Sequence, residues 1–260
     1  MAQPRTRNQG ALRDIVERIS SVDDLGPYVK VAVFGDNGSG KTRLAATAPD
    51  VLIVDINEMG TRSAVGSGAH KIECTTLDDV ANTFWFLHSG KHKFKSVAID
   101  TVSALNNLAM KTVLGEASDR DPTRPRGMPE KRHYGQAGEI VKGLIWNFRD
   151  LPMHVLFTAQ ERTVKDQDTG EVLDVTIDLP AGARGALTGA VSVIGYMEPR
   201  ERKVKRDGKI EKVWTDHMIL GPHHEFSALK DRTNHLGPVL TRPTMPKIIE
   251  AWNNTDTNEE

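Results

Sequence analysis

Eight residues, Gly35-Asp36-Asn37-Gly38-Ser39-Gly40-Lys41-Thr42, constrain this chain more than any other stretch. They follow Val29-Lys30-Val31-Ala32-Val33-Phe34, a β-rich run, and lead into Thr42 to Ala48, which reads as a helix closed by Pro49. The pattern G-x-x-x-x-G-K-[ST] is complete and lies where it must, after a strand and before a helix. Its glycines let main-chain N–H groups turn inward around a phosphate, and the helix that follows adds the positive end of its dipole. Lys41 supplies a point charge for the β- and γ-phosphates, and the Thr42 hydroxyl is placed to ligate Mg²⁺. A loop of this kind is expected to hold a nucleoside triphosphate, read here as ATP with Mg²⁺.

The rest of the chain supplies the matching scaffold. Val51–Asp55, Ser96–Asp100 and Met153–Thr158 read as further apolar strands. Helices are expected from Thr76, where Asp79 completes a capping-box pattern, over Val102–Leu114 and over Gly138–Arg149. Strand–helix alternation over 29–158 predicts an α/β fold, a mostly parallel sheet with helices on both faces. Ligands of such sheets sit at the carboxyl ends of the strands, where the glycine loop, Asp55, Asp100 and Gln160 all fall. Beyond that point the texture becomes β-rich. Val164–Ile177 contains the turn Asp168-Thr169-Gly170, and Tyr196–Ile219 contains Asp207-Gly208, so two hairpin additions are expected. Pro246–Trp252 should be a closing helix. The expected organisation is a tail with a short helix from Leu12 to Ile19 (1–27), a core (28–160), a β-rich part (161–252) and an acidic tail (253–260).

Several side chains suit phosphate chemistry. Val97-Ala98-Ile99-Asp100 ends a strand in a carboxylate, which belongs beside the magnesium. Thr101 follows it where many motor ATPases have a glutamate, so the group that orients water must come from elsewhere. Val51 to Glu58 offers Glu58 as first choice and Asp55 as the alternative. Gln160, at the tip of the fourth strand, is either a sensor of the γ-phosphate or a plain strand end. There is no Asn-Lys-x-Asp element to read guanine.

Gly115–His133 reads as a long loop, with Arg120, Arg124, Arg126, Lys131 and Arg132 as candidate contacts to a phosphate backbone. The hairpin stretch with Arg202, Lys203, Lys205 and Arg206 is the most basic segment; it is either a second nucleic-acid contact or a solvated arm. A net charge of −1 excludes a protein basic over its whole surface but leaves room for such a strip. A lone cysteine, Cys74, excludes an internal disulfide and a cysteine zinc site. His223-His224, read as neighbours on a strand, would point to opposite faces and hold no metal. No apolar run approaches the ~20 residues needed to span a bilayer, so a cytoplasmic protein without a membrane partner is expected.

The quartet of Gly35–Thr42, Asp55/Glu58, Val97–Thr101 and Thr158-Ala159-Gln160 resembles the RecA-like ATPase core. With Tyr134-Gly135 and Lys230-Asp231-Arg232, residues 28–252 look more closely like the phage-encoded P-loop proteins of the single-strand-annealing type. The resemblance implies an ATPase that binds single-stranded DNA, promotes annealing in recombination and works in a host bacterial cytoplasm. It also implies head-to-tail self-association into an oligomer or filament, and a single-strand DNA-binding protein as partner. Lys230 and Arg232 match a basic pair that reaches a neighbour's phosphate, and the DNA-facing loops would be 115–133 and 161–184. Residues alone leave two further readings open, a small-molecule phosphotransferase and a nucleotide-gated adaptor with little turnover.

Overall fold

The computed structural model describes residues 17–19, 21, 26–56, 60–120, 128–206 and 209–254. The short helix expected from Leu12 and the acidic tail fall largely outside them. Tyr28–Asn254 forms one compact unit. Its strands are β1 (Lys30–Gly35), β2 (Val51–Asp55), β3 (His70–Glu73), β4 (Ser96–Asp100), β5 (His154–Lys165), β6 (Val172–Ile177), β7 (Val193–Arg206), β8 (Lys209–Ile219), β9 (Lys230–Asp231) and β10 (Val239–Thr241). The helices are α1 (Lys41–Ala45), α2 (Leu77–His88), α3 (Val102–Arg120), α4 (Lys131–Arg149), α5 (Ala181–Ala190) and α6 (Met245–Asn253), with a 3₁₀ turn at Gly60–Ala64.

Ten strands form one mixed sheet in the order β10-β8-β7-β1-β5-β4-β2-β3, with β6 on β5 and β9 on β7. From β3 to β7 the path is parallel, and β8 and β10 continue it antiparallel. The central strands β2 and β4 are buried along their whole length, as a sheet covered on both faces requires. On β1 the pleat sorts the side chains. Ala32 and Phe34 join the core beneath α2, α3, α4 and α5, while Val31 and Val33 join the core beneath α1 and α6.

Local signals explain the element ends. Thr76 caps α2 by accepting from the Asp79 N–H, and Asp79 accepts from the Thr76 N–H, the reciprocal box expected from the sequence. The Asp168-Thr169-Gly170 turn joins β5 to β6, with Gly170 at φ 73.

Three expectations need correction. The segment 115–133 is not one long loop: α3 runs on to Arg120 and α4 begins at Lys131. Glu116 to Asp119 contain no helix breaker, so α3 continues past Gly115, and the buried His133 ring accepts from the Glu130 N–H to start α4 early. The β-rich part contains a helix, α5, at the end of what was expected to be a loop over 161–184; the rest of that stretch is the β5–β6 hairpin. Three glycines hid this helix, which forms because Ala183, Ala186, Leu187 and Ala190 bury one face against α4 and the sheet. His223 and His224 do not sit on opposite faces of a strand: their rings stack at 4.6 Å beside the His223–Phe226 bridge.

Candidate phosphate site

β1 ends at Gly35 beside β5 on one side and β7 on the other, with Gly35 opposite Gln160. Because β5 lies between β1 and β4, the amide of Gln160 falls between the glycine loop and Asp100. Lys41, only 6% exposed, donates from its ammonium to Gly35 O and Asp36 O, each at 2.8 Å, and lies 3.4 Å from Gln160 Oε1. The Thr42 hydroxyl donates to Asp100 Oδ2 at 2.8 Å, and the Thr158 hydroxyl approaches Asp100 Oδ1. A cavity of about 450 Å³ opens over these groups, lined among others by Ser39, Lys41, Thr42, Gly60, Asp100 and Gln160.

Asp100 is 4% exposed, and burial pushes its carboxyl above the usual range. The hydroxyls of Thr158 and Thr42 oppose that shift, while the carboxylate of Asp55, its register partner on β2, adds to it. A hydroxyl and a carboxylate held together are hard oxygen donors, the set that suits Mg²⁺. Asp55 itself accepts from the Thr61 hydroxyl at 2.9 Å and does not line the cavity. Glu58, first choice for orienting water, lies outside the described residues.

Gln160 also anchors the β5–β6 hairpin. Its N–H donates to Ser103 Oγ at 3.0 Å, Ser103 Oγ donates to Asp178 O at 3.0 Å, and the Asp178 N–H returns to Gln160 O at 2.9 Å. The strand leaves the parallel sheet here and becomes the hairpin.

Sequence reasoning missed the part played by the far strands. A Cβ at Gly35 would lie 2.4 Å from the Met197 carbonyl oxygen on β7, and one at Gly40, where φ is 96, would lie 2.8 Å from Asp216 Oδ2 on β8. Gly35 and Gly40 are needed as much for the strands packed on them as for any anion. Asp216 holds the Arg43 guanidinium through both carboxylate oxygens, at 2.7 and 2.9 Å. Gly60 and Thr61, on the 3₁₀ turn, also escaped notice. No motif marks them; the turn brings Gly60 near Asp100 and Thr61 to Asp55 only on folding.

The remaining candidates scatter. Lys230 and Arg232 lie by β9, which pairs with the start of β7 at the amino edge of the sheet, opposite the glycine loop. The Lys230 ammonium donates to Thr188 O and Val191 O, both at 2.7 Å, and so closes the end of α5. Lys131 and Arg132 are on the first turn of α4, where Arg132 pairs with Glu130 at 3.0 Å. Arg120 ends α3; Arg124 and Arg126 lie outside the described residues. Arg202, Lys203, Lys205 and Arg206 are all on β7, in the arm it forms with β8, whose acids Glu198 and Glu201 pair with Arg200 and Lys212. No group of three metal-ligating side chains occurs among the described residues, and no helix among them is long and apolar enough to cross a membrane.

In comparisons with known proteins, residues 28–233 match the family described as the AAA domain. No curated protein matches the chain.

Proposed function

The chain belongs to the AAA domain family, and from that premise we propose that it is a magnesium-dependent ATPase whose nucleotide state governs its hold on single-stranded DNA in annealing and recombination. One observation carries the nucleotide part: Lys41, Thr42, Asp100 and Gln160 converge on one cavity at the carboxyl ends of β1, β4 and β5. In this reading the main-chain N–H groups of the loop and the Lys41 ammonium bind the β- and γ-phosphates. Thr42 and Asp100 hold Mg²⁺, which offsets phosphate charge when bound. For that, Asp100 acts as a carboxylate, and the Thr42 hydroxyl turns from it toward the metal. Gln160 bonds the γ-phosphate and passes its loss to the β5–β6 hairpin through Ser103 and Asp178. Thr101 contributes no base; its hydroxyl caps α3 by accepting from the Ala104 N–H at 3.1 Å.

The DNA part is supported by the β7–β8 arm, whose lysines and arginines gather between Arg200 and Lys212 and whose root packs directly on the loop. Self-association is supported by the place of Arg232, since a cation at the amino edge meets a triphosphate only on another copy. The test is ATP turnover with and without single-stranded DNA, for wild type and Lys41→Ala. Turnover stimulated by DNA and lost in Lys41→Ala is expected. Tight ATP binding without turnover and indifferent to DNA would replace this reading with an adaptor, and labelled phosphate on a metabolite with a phosphotransferase.

A further inference from the structure

A second cavity, of about 640 Å³, lies between α1 and the roots of β7 and β8. It shares Gly38, Gly40 and Arg43 with the phosphate cavity, so the glycine loop is a wall common to both. The linings differ in their apolar side chains, although the second also carries Arg43, Asp216 and Arg242. Toward Thr42 and Asp100 the lining is charged and hydroxylic; on the other side it includes Leu44, Met197, Pro199 and Trp214. Trp214 is 65% exposed, an indole left open on β8 at the mouth of a cavity. Asp216, two residues on and on the same face of the strand, is fixed by Arg43 and accepts from the Arg242 N–H at 2.9 Å through its main-chain oxygen. The wall is therefore held in place from both the loop helix and the segment before α6.

We propose that this cleft seats the base of the nucleotide, with Trp214 as its stacking surface, so that bound nucleotide clamps the β7–β8 arm to the loop. The proposal rests on the phosphate-site reading given above. A nucleotide lying along the loop extends beyond it in one direction or the other. A base has two apolar π-faces and an edge of donors and acceptors, and an exposed indole with an apolar floor and a polar rim matches it. The carboxylate of Asp100 on the other side matches the metal and not the base.

The experiment uses the full chain and two ligands, ATP and inorganic tripolyphosphate, with binding followed by calorimetry. Trp214→Ala should weaken ATP by roughly tenfold, the loss expected of one stacked base, and leave tripolyphosphate unchanged. Trp214→Phe should recover most of the ATP affinity, because the ring face is kept. ATP, but not tripolyphosphate, should slow tryptic cleavage in the arm of the wild type, and this protection should vanish in Trp214→Ala. Equal ATP affinity in wild type and Trp214→Ala would overturn the proposal, as would an equal loss for both ligands, which would place the effect on the loop. Wild-type protein that binds neither ligand would defeat the phosphate site and the base cleft together; binding of both with no effect of Trp214 would defeat the cleft alone.

Discussion

Lys30 and Lys41 stand at the two ends of β1, and each hands its ammonium to a pair of main-chain carbonyls. Lys30, at the amino end, donates to Leu151 O and Met153 O at 2.7 and 2.6 Å. Lys41, just past the carboxyl end, donates to Gly35 O and Asp36 O, both at 2.8 Å. The bonds are alike and the surroundings are not. The acceptors of Lys30 belong to the tight connection between α4 and β5, and burial drives its pKa down to about 8. The acceptors of Lys41 belong to a glycine loop beneath a cavity, with Gln160 also within reach. At one end of the strand a lysine ties the chain together; at the other it rests on carbonyls that an anion can displace. Function here follows from what lies next to a bond rather than from the bond.

The sharpest way to break that comparison is to remove both lysines in turn. Lys41→Ala should lower ATP turnover by at least ~100-fold, the scale of losing one charge-stabilising donor, while thermal unfolding hardly shifts. Lys30→Met should do the reverse, with turnover per folded molecule kept and stability lower by about 1–3 kcal/mol, because two buried carbonyls lose their donor. The pH dependence gives a second reading. Below about pH 8 the fold carries the full penalty of a buried Lys30 ammonium. Between about 8 and 10.5 the folded protein has released that proton and the unfolded chain has not, so this residue's contribution to stability rises with pH. Denaturation of wild type and Lys30→Met across that window should differ in slope by this one proton. Equal slopes, or Lys41→Ala unfolding as readily as Lys30→Met, would remove the distinction between the two ends.

Asp100 sharpens the comparison from the other side. Its pKa is raised, so the folded state holds the proton more tightly than the unfolded chain. Stability from this group is therefore lost as pH climbs from the ordinary carboxylate range through the raised value. Asp100→Asn should unfold at a higher temperature than wild type at neutral pH without magnesium, since an amide keeps hydrogen bonds to Thr42 and Thr158 and carries no charge into a buried place. Its magnesium-dependent turnover should fall roughly 100-fold. A variant less stable than wild type under those conditions would show that the carboxylate serves the fold and does not burden it.

The two ends of the sheet were also unequally legible in the sequence. At the carboxyl edge, contiguous residues carried the information: the eight-residue loop, the run Val97–Asp100, and Gln160 just past the apolar run Met153–Thr158, although Gln160 is not the strand tip expected, since β5 continues to Lys165. Strand geometry converted position in the sequence into position in space. At the amino edge, and around the loop itself, the decisive contacts join distant segments. Arg43 and Asp216 are 173 residues apart, and Lys30 reaches across 121 to Leu151. No local periodicity reports such pairs. The same limit hid α5, whose glycines argue against a helix until its apolar stripe meets α4, and hid the continuation of α3 past Gly115. Turn chemistry and capping were readable because they are local; the packing of β7 and β8 on the glycine loop was not.

The smallest expected effect separates two residues that the sequence grouped as one pair. Lys230 closes α5 through Thr188 O and Val191 O, and burial lowers its pKa, the same pattern as Lys30. Arg232 donates its main-chain N–H to Ser192 O at 3.1 Å, which fixes the backbone there while the residue stays exposed. Lys230→Met should therefore behave as a structural change, lowering stability by about 1 kcal/mol with near-normal turnover of the folded fraction. Arg232→Ala should leave unfolding alone. If copies of the chain act on one another's phosphate, Arg232→Ala should also slow turnover, and mixing it with Lys41→Ala should restore part of the activity, since each variant then supplies what the other lacks. Arg232→Ala alone at full turnover, with mixtures no more active than the Arg232→Ala they contain, would confine the chemistry to one chain and leave the amino edge of the sheet a purely structural end.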